Sequence, residues 1–325
     1  MNSGKNKMII ASCPLRVSLL GGSTDLEDFI QEYGYGQVIS FPVNLYTYVS
    51  INKRYDGKYL IQYAKTESVT NIKDIKNDLV RVVLEYFSIN IPITVALNAD
   101  IPSHGSGLAS SSSFIIATIK AVSVFKGLEL SDYEVCNIAL KLERKFNPLV
   151  GRQDPLGCGL KGFKHIYFNS DKKIKIIPFN NLFFSKFDLF LIPITKNGRK
   201  STNILKSLGL KERKIICDNV DQGLTHLKKL NFKEFNKLIL KSWEEKKKTS
   251  SLITTSNVQN LENKIKNSKL DLCYKLCGAG GGGYLLLIKE KPISISNNLI
   301  LGLLKTSSYI KINVDNRGIK TWKLN

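Results

Sequence analysis

The sequence predicts an α+β fold in two domains, and three observations carry that reading. The chain has 325 residues, enough for two domains of about 100 to 200 residues each. Up to about residue 180, strand-like segments rich in Val, Ile, Leu, Phe and Tyr surround a pair of helix-like ones. Beyond it, the pattern changes to Lys/Glu/Leu-rich helical segments and then to strand, glycine turn, strand. The expected division is therefore 1–180 and 181–325.

Taken in order, residues 8–20 and 37–52 read as strands, as do 59–64 and 93–99. Ser110 to Phe125 is a run of small and apolar residues without Gly or Pro, which reads as a buried helix. Ser131 to Phe146 follows as a second helix, with Ser131 as N-cap and Glu134 completing a capping box. Strands return at 165–169, 174–179 and 188–194. Helical segments then occupy 201–269, and 272–289 reads as strand, turn, strand. Tyr309 to Val314 alternates apolar or aromatic residues with Lys311 and Asn313, the pattern of a last strand pairing with the end of the chain.

Composition excludes some classes. With 43% hydrophobic residues the chain can fill a core. Its 48 Lys+Arg against 27 Asp+Glu give a net charge of +21, which admits nucleic acid, an anionic membrane or a phosphorylated substrate, or a lysine-rich compositional habit. Lys120, Lys186 and Asp188 break the best apolar runs before they could span a bilayer, so no membrane partner is expected. Lys5 and Lys7 ahead of Met8 to Cys13 look superficially like a lipoprotein signal, but the apolar run is too short and Arg16 follows. Six scattered cysteines and three separated histidines form no zinc signature, and a reduced, cytoplasmic protein is expected. The basic residues are spread without an aromatic-interleaved stripe, which argues against nucleic acid.

Four segments carry the chemistry. Gly105-Ser106-Gly107-Leu108-Ala109-Ser110-Ser111-Ser112 runs directly into the predicted helix at Ser110; backbone N–H groups and the positive helix end suit a phosphate. A serine-rich turn with a helix cap would look the same, and the Walker pattern is absent. Glu143 ends a helix, and Asp154 follows in a loop punctuated by Gly151 and Pro155; a phosphoryl-transfer site uses one carboxylate for a metal and another near the attacking hydroxyl. Either carboxylate alone also reads as a surface charge. Gly21-Gly22-Ser23-Thr24-Asp25 is a polar turn after a strand bearing Arg16, in which Asp25 could take sugar hydroxyls or cap its own backbone. Gly278 to Gly283 suits either an approach to phosphates or a hairpin turn.

Together, Pro14-Leu15-Arg16-Val17 through Asp25, then Gly105 to Ser113, Glu143 with Asp154, and Gly278 to Gly283 occur in the order of the motifs of the GHMP family of small-molecule kinases. The chain resembles that family over nearly its whole length. Within it the chain is most similar to kinases that phosphorylate the anomeric hydroxyl of D-glycero-D-manno-heptose 7-phosphate; Tyr63 to Glu67 and Thr195 to Arg199 look like segments of that group. The resemblance implies an N-terminal ribosomal protein S5 domain 2-like domain and a C-terminal ferredoxin-like α/β domain. It implies ATP and magnesium as cofactors, with Gly105 to Ser112 on the ATP phosphates, Ser111 and Glu143 as metal ligands, Asp154 as base and Arg16 as the cation beside it. Asp25, Gly22, Ser23, Thr24, Gly280, Gly281 and Arg199 would bind the acceptor, with Lys196 and Arg152 as further candidates for its phosphate. A sugar phosphate and ATP are then the partners of a monomer or homodimer. Ala109 stands where many members have Gly, Gly-Gly-Ser where the heptose group has three glycines, and Pro155 where Gln is common. A kinase for fucose, galactose or mevalonate, and a non-catalytic nucleic-acid binder, are the competing readings.

Overall fold

The computed structural model describes residues 8–102, 105–171, 173–194, 204, 206–291 and 308–324. Its elements are β1 (Met8–Leu20), α1 (Glu27–Tyr33), β2 (Tyr35–Lys53), β3 (Tyr59–Gln62), β4 (Thr66–Val69), α2 (Asp78–Tyr86), β5 (Ile93–Ala99), α3 (Ser110–Phe125), α4 (Asp132–Glu143) and α5 (Gln153–Gly159). There follow β6 (Lys164–Asn169), β7 (Ile174–Pro178), α6 (Leu182–Lys186), β8 (Phe187–Ile194), α7 (Leu210–Lys228), α8 (Phe232–Lys248), α9 (Ser256–Asn267), β9 (Leu272–Leu276), β10 (Gly283–Glu290), β11 (Ile310–Ile312) and β12 (Lys320–Leu324). The α+β expectation holds.

The large sheet runs β12-β1-β2-β5-β3-β4, and the long β2 also pairs with β6, which continues to β7. A second, antiparallel sheet runs β11-β8-β10-β9. The 310–312 strand was expected to pair with the chain end. Instead it joins β8, and the chain end returns as β12 to the edge of the large sheet beside β1. The division between the sheets falls between β7 and β8, but this last strand crosses back.

The β1–β2 register shifts between Pro14, which pairs with Tyr46, and Leu15, which pairs with Val43, so Asn44 and Leu45 of β2 are the extra residues of the irregularity. Ile9, Ala11 and Cys13 lie in the core with α3, whereas Leu15, Val17 and Leu19 lie in the core shared with the second sheet. Arg16, between Leu15 and Val17, reaches the phosphate loop and α5. Ser131 caps α4 with the predicted capping box, which fixes the start of the helix whose last residue is Glu143. All six cysteines are buried and free. No helix among the described residues is long and apolar enough to cross a membrane.

Candidate active site

The phosphate loop alternates its backbone hand: Gly105 at φ +74°, Gly107 at +77° and Ala109 at +60° all lie in the left-handed region. Ala109 occupies a conformation that glycine adopts without steric cost, which accounts for the residue expected there. Ala109 is the N-cap of α3 and offers no side-chain cap, so the first amides of the helix have no capping side chain and face an anion well. The eight loop residues divide by role. Ser106 and Ser110 are buried; their hydroxyls bond each other at 2.8 Å, and Leu108 N–H donates to Ser106 Oγ at 3.2 Å. Leu108 lies in the core, and Ser111 is exposed at the helix mouth. The side chains of Ser106, Leu108 and Ser110 therefore frame the loop, and Ser111 carries the exposed hydroxyl at its end.

Arg16 is 5% exposed and ties this loop to a carboxylate. Its Nη1 donates to Gly107 O at 2.8 Å, while Nε and Nη2 donate to Asp154 Oδ1 at 3.0 and 2.6 Å. Asp154 is not in a loop, as the Gly/Pro punctuation implied, but in the first turn of α5. Pro155 fits there because a first-turn residue has no intrahelical N–H bond to lose. Among the described residues, Asp154 Oδ2 accepts no hydrogen bond, and the side chain is 24% exposed. The carboxylate thus has one oxygen fixed on a cation and one facing outward.

Glu143 is 1% exposed and accepts from Ser112 Oγ at 2.6 Å. Burial pushes its carboxyl up to about 7, against the Ser112 and Ser111 hydroxyls and the Arg16 charge, with Asp154 adding to the rise. No cation lies within 4 Å of it among the described residues. No group of three or more His, Cys, Asp or Glu there is arranged to hold a metal. One buried carboxylate beside an open hydroxyl, with no cation of its own, suits magnesium, which takes one or two carboxylates and completes its shell with phosphate and water.

The acceptor-side residues fare differently. Asp25 is 1% exposed; its Oδ2 accepts from Gln153 N–H at 2.8 Å, and Gly151 packs against the carboxyl so closely that a side chain there would collide. Its Oδ1 is buried without a partner, and burial, with Asp154 nearby, raises it to about 6. Asp25 holds the 151–153 segment that leads into Asp154. Thr24 is fully buried, its hydroxyl sharing one hydrogen between Gly21 O and Gln37 O and accepting from Gln37 N–H, and Ser23 O accepts from Arg213 Nη1 at 3.2 Å. Thr24 and Ser23 are therefore turned inward and frame the turn, leaving half-buried Gly22 beside Gln153. Gly280 and Gly281 are buried beside Ile253, Gly281 N–H donating to Ile253 O at 2.8 Å. Tyr63 to Glu67 forms the β3–β4 turn, with Tyr63 Oη donating to Glu67 Oε1 at 2.7 Å. Arg199 and Lys196 lie outside the described residues.

The third glycine run serves as both hairpin and buttress. It joins β9 to β10, and a Cβ on Gly278 would stand 2.5 Å from Gly107 Cα, with one on Gly283 2.6 Å from Gly105 O. Gly278→Ala, at φ +71°, should lower stability by roughly 2 kcal/mol or more. The urea midpoint measures this, and an unchanged midpoint would contradict the close contact.

Lys246 and Lys275 went unread in the sequence. Lys246, 9% exposed, donates from Nζ to Gly278 O, and Lys275, 8% exposed, donates to Leu19 O at 2.9 Å. The signal was present: Ile239, Trp243 and Lys246 share one helical face, and Lys275 interrupts the otherwise apolar, fully buried β9.

Residues 75–162 match the family model for the GHMP kinases N terminal domain. The chain is 26% identical to the D-glycero-alpha-D-manno-heptose 7-phosphate kinase of Campylobacter jejuni, over 98% of this chain and 100% of that one. It is 27% identical to a mevalonate kinase of Methanocaldococcus jannaschii, over 88% and 94%. A D-glycero-D-manno-heptose 1-phosphate kinase from Bacteroides thetaiotaomicron superimposes with a TM-score of 0.77 at 20% identity, over 98% and 99%, a likeness of fold.

Proposed function

We propose that this small-molecule kinase, whose residues 75–162 match the GHMP kinases N terminal domain, uses ATP to phosphorylate the C1 hydroxyl of D-glycero-D-manno-heptose 7-phosphate. The observation carrying the chemistry is Arg16 joined to both Gly107 O and Asp154. The phosphate-loop amides would position the triphosphate, and Asp154 Oδ2 would orient the acceptor hydroxyl and take its proton. Arg16 fixes that carboxylate through its ion pair and would offset charge on the transferring group; such positioning and neutralisation is the main catalytic effect for a loose phosphoryl transition state. Glu143 and Ser111 would hold magnesium, which when bound supplies positive charge to the phosphate oxygens. The heptose relative, similar over both chains' full length, favours this acceptor.

Arg152 supports a phosphorylated acceptor. It is 6% exposed, its Nη2 stands 3.7 Å from Glu27 Oε2, and its Nη1 is buried with no partner. Arg144 approaches the same oxygen at 3.9 Å. Arg152 lies two residues from Asp154, at most about 7.6 Å along the chain, within the span between the two ends of a sugar phosphate. Arg152→Gln should raise KM for the phosphorylated acceptor by about tenfold or more and leave KM for ATP unchanged. An unchanged acceptor KM would remove Arg152 from the subsite.

The second reading is a mevalonate-type acceptor, favoured by the identity to the archaeal enzyme. A coupled ADP-release assay over heptose 7-phosphate, unphosphorylated heptose, fucose, galactose and mevalonate separates the two. The proposal expects a preference of tenfold or more, an order-of-magnitude figure, for the 7-phosphate. Equal rates with unphosphorylated heptose, or faster turnover of mevalonate, would overturn it.

A further inference from the structure

We infer that Lys246, seconded by Lys275, binds the nucleotide's polyphosphate from the second lobe. The geometry begins at the contact of Gly107 with Gly278. Two cations sit on the carbonyls of these touching glycines: Arg16 Nη1 on Gly107 O, from β1, and Lys246 Nζ on Gly278 O, from α8. Lys275, on β9, sits on Leu19 O, three residues beyond Arg16.

An ammonium has three N–H donors. Among the described residues, Lys246 and Lys275 each spend one, on a single backbone carbonyl, so each keeps two for another acceptor although both are buried. The charges point the same way. Arg16, Lys246 and Lys275 interact with one another, whereas Asp154 is the carboxylate among them held by an ion pair. Gathering three cations around one such carboxylate is costly unless an anion joins them. A triphosphate on the amides at the mouth of α3 would bring several negative charges to the Gly107–Gly278 contact. The inference needs only that ATP binds, and it stands whichever acceptor the enzyme uses.

The groups facing Lys246 are Lys275 and Cys277 from β9 and the turn after it, Arg16 from β1 and Asp154 from α5; those facing Lys275 are Cys277, Cys273 and Arg16. Burial pushes Lys246 down to about 7 and Lys275 to about 8. A polyanion restores the ordinary high value, so at pH 8 each lysine takes up a proton as nucleotide binds. Uptake by Lys246, the more strongly lowered of the two, is then the larger.

The test is calorimetric titration of full-length protein with adenylyl imidodiphosphate and magnesium at pH 8, in two buffers of different ionisation enthalpy. The expected result is net proton uptake, smaller in Lys246→Met than in the parent. Lys246→Arg should restore nucleotide affinity to within about tenfold of the parent without restoring that uptake, because guanidinium stays charged. No net uptake by the unaltered protein would overturn the inference without any variant. So would equal uptake in a folded Lys246→Met protein.

Discussion

Asp154→Asn should keep its fold and its affinity for ATP while kcat falls by about 10² or more, the usual scale for losing a positioned general base. The amide matches the carboxyl in size and still presents an oxygen to Arg16, so the 2.6 and 3.0 Å contacts can persist. What is lost is the outward oxygen's ability to take a proton. A fall in kcat with KM for ATP unchanged therefore separates loss of the base from collapse of the Arg16–Gly107 link, which would weaken nucleotide binding as well. Steady-state kinetics with both substrates varied measures this, and near-normal kcat would reject the role.

Glu143→Gln should lower kcat/KM for magnesium-ATP by about 10² or more, several kcal/mol of charge stabilisation lost with the metal. The same change should stabilise the metal-free protein at alkaline pH. The folded carboxyl, at about 7, lies above its ordinary value of 4.5, so between those values the folded state holds more protons than the unfolded one. Stability falls as pH rises through that window. The buried carboxylate therefore costs the metal-free protein roughly 3 kcal/mol once pH exceeds the upper value, an order-of-magnitude figure. Thermal midpoints at pH 5 and pH 8, without magnesium, should diverge less in Glu143→Gln than in the parent. Added magnesium should raise the parent's midpoint at pH 8 and leave the variant's nearly unchanged. Equal magnesium responses would remove Glu143 from the metal site.

Much of the frame was legible because local rules agree with the fold. The Ser131 capping box starts α4 where the sequence places it, and the glycine pattern before Ser110 marks both loop and helix. Arg16, Glu143 and Asp154 could be named from their motifs, although their convergence depends on the packing of β1, α3, α4 and α5, which no periodicity announces. Asp154 read as a loop residue because Gly151 and Pro155 flank it, yet proline is at home in a helix's first turn. For Asp25 the sequence left sugar binding and backbone capping both open; the backbone contacts that Thr24 and Asp25 make, to Gln37 and Gln153, are long-range and appear only in the packing. Lys246 was hidden in the run Glu244 to Lys248, which reads as a solvated charge cluster until the face it shares with Trp243 is counted. The pairing of β12 with β1 joins the two ends of the chain, a contact local pattern cannot register.

A crystal structure with a non-hydrolysable ATP analogue and an acceptor tests the central claim most directly. The account predicts the triphosphate on the amides at the mouth of α3 and Asp154 Oδ2 within hydrogen-bond reach of the acceptor hydroxyl. A triphosphate bound away from the Gly105–Ser112 loop, or an Asp154 turned from the acceptor into solvent, would contradict it.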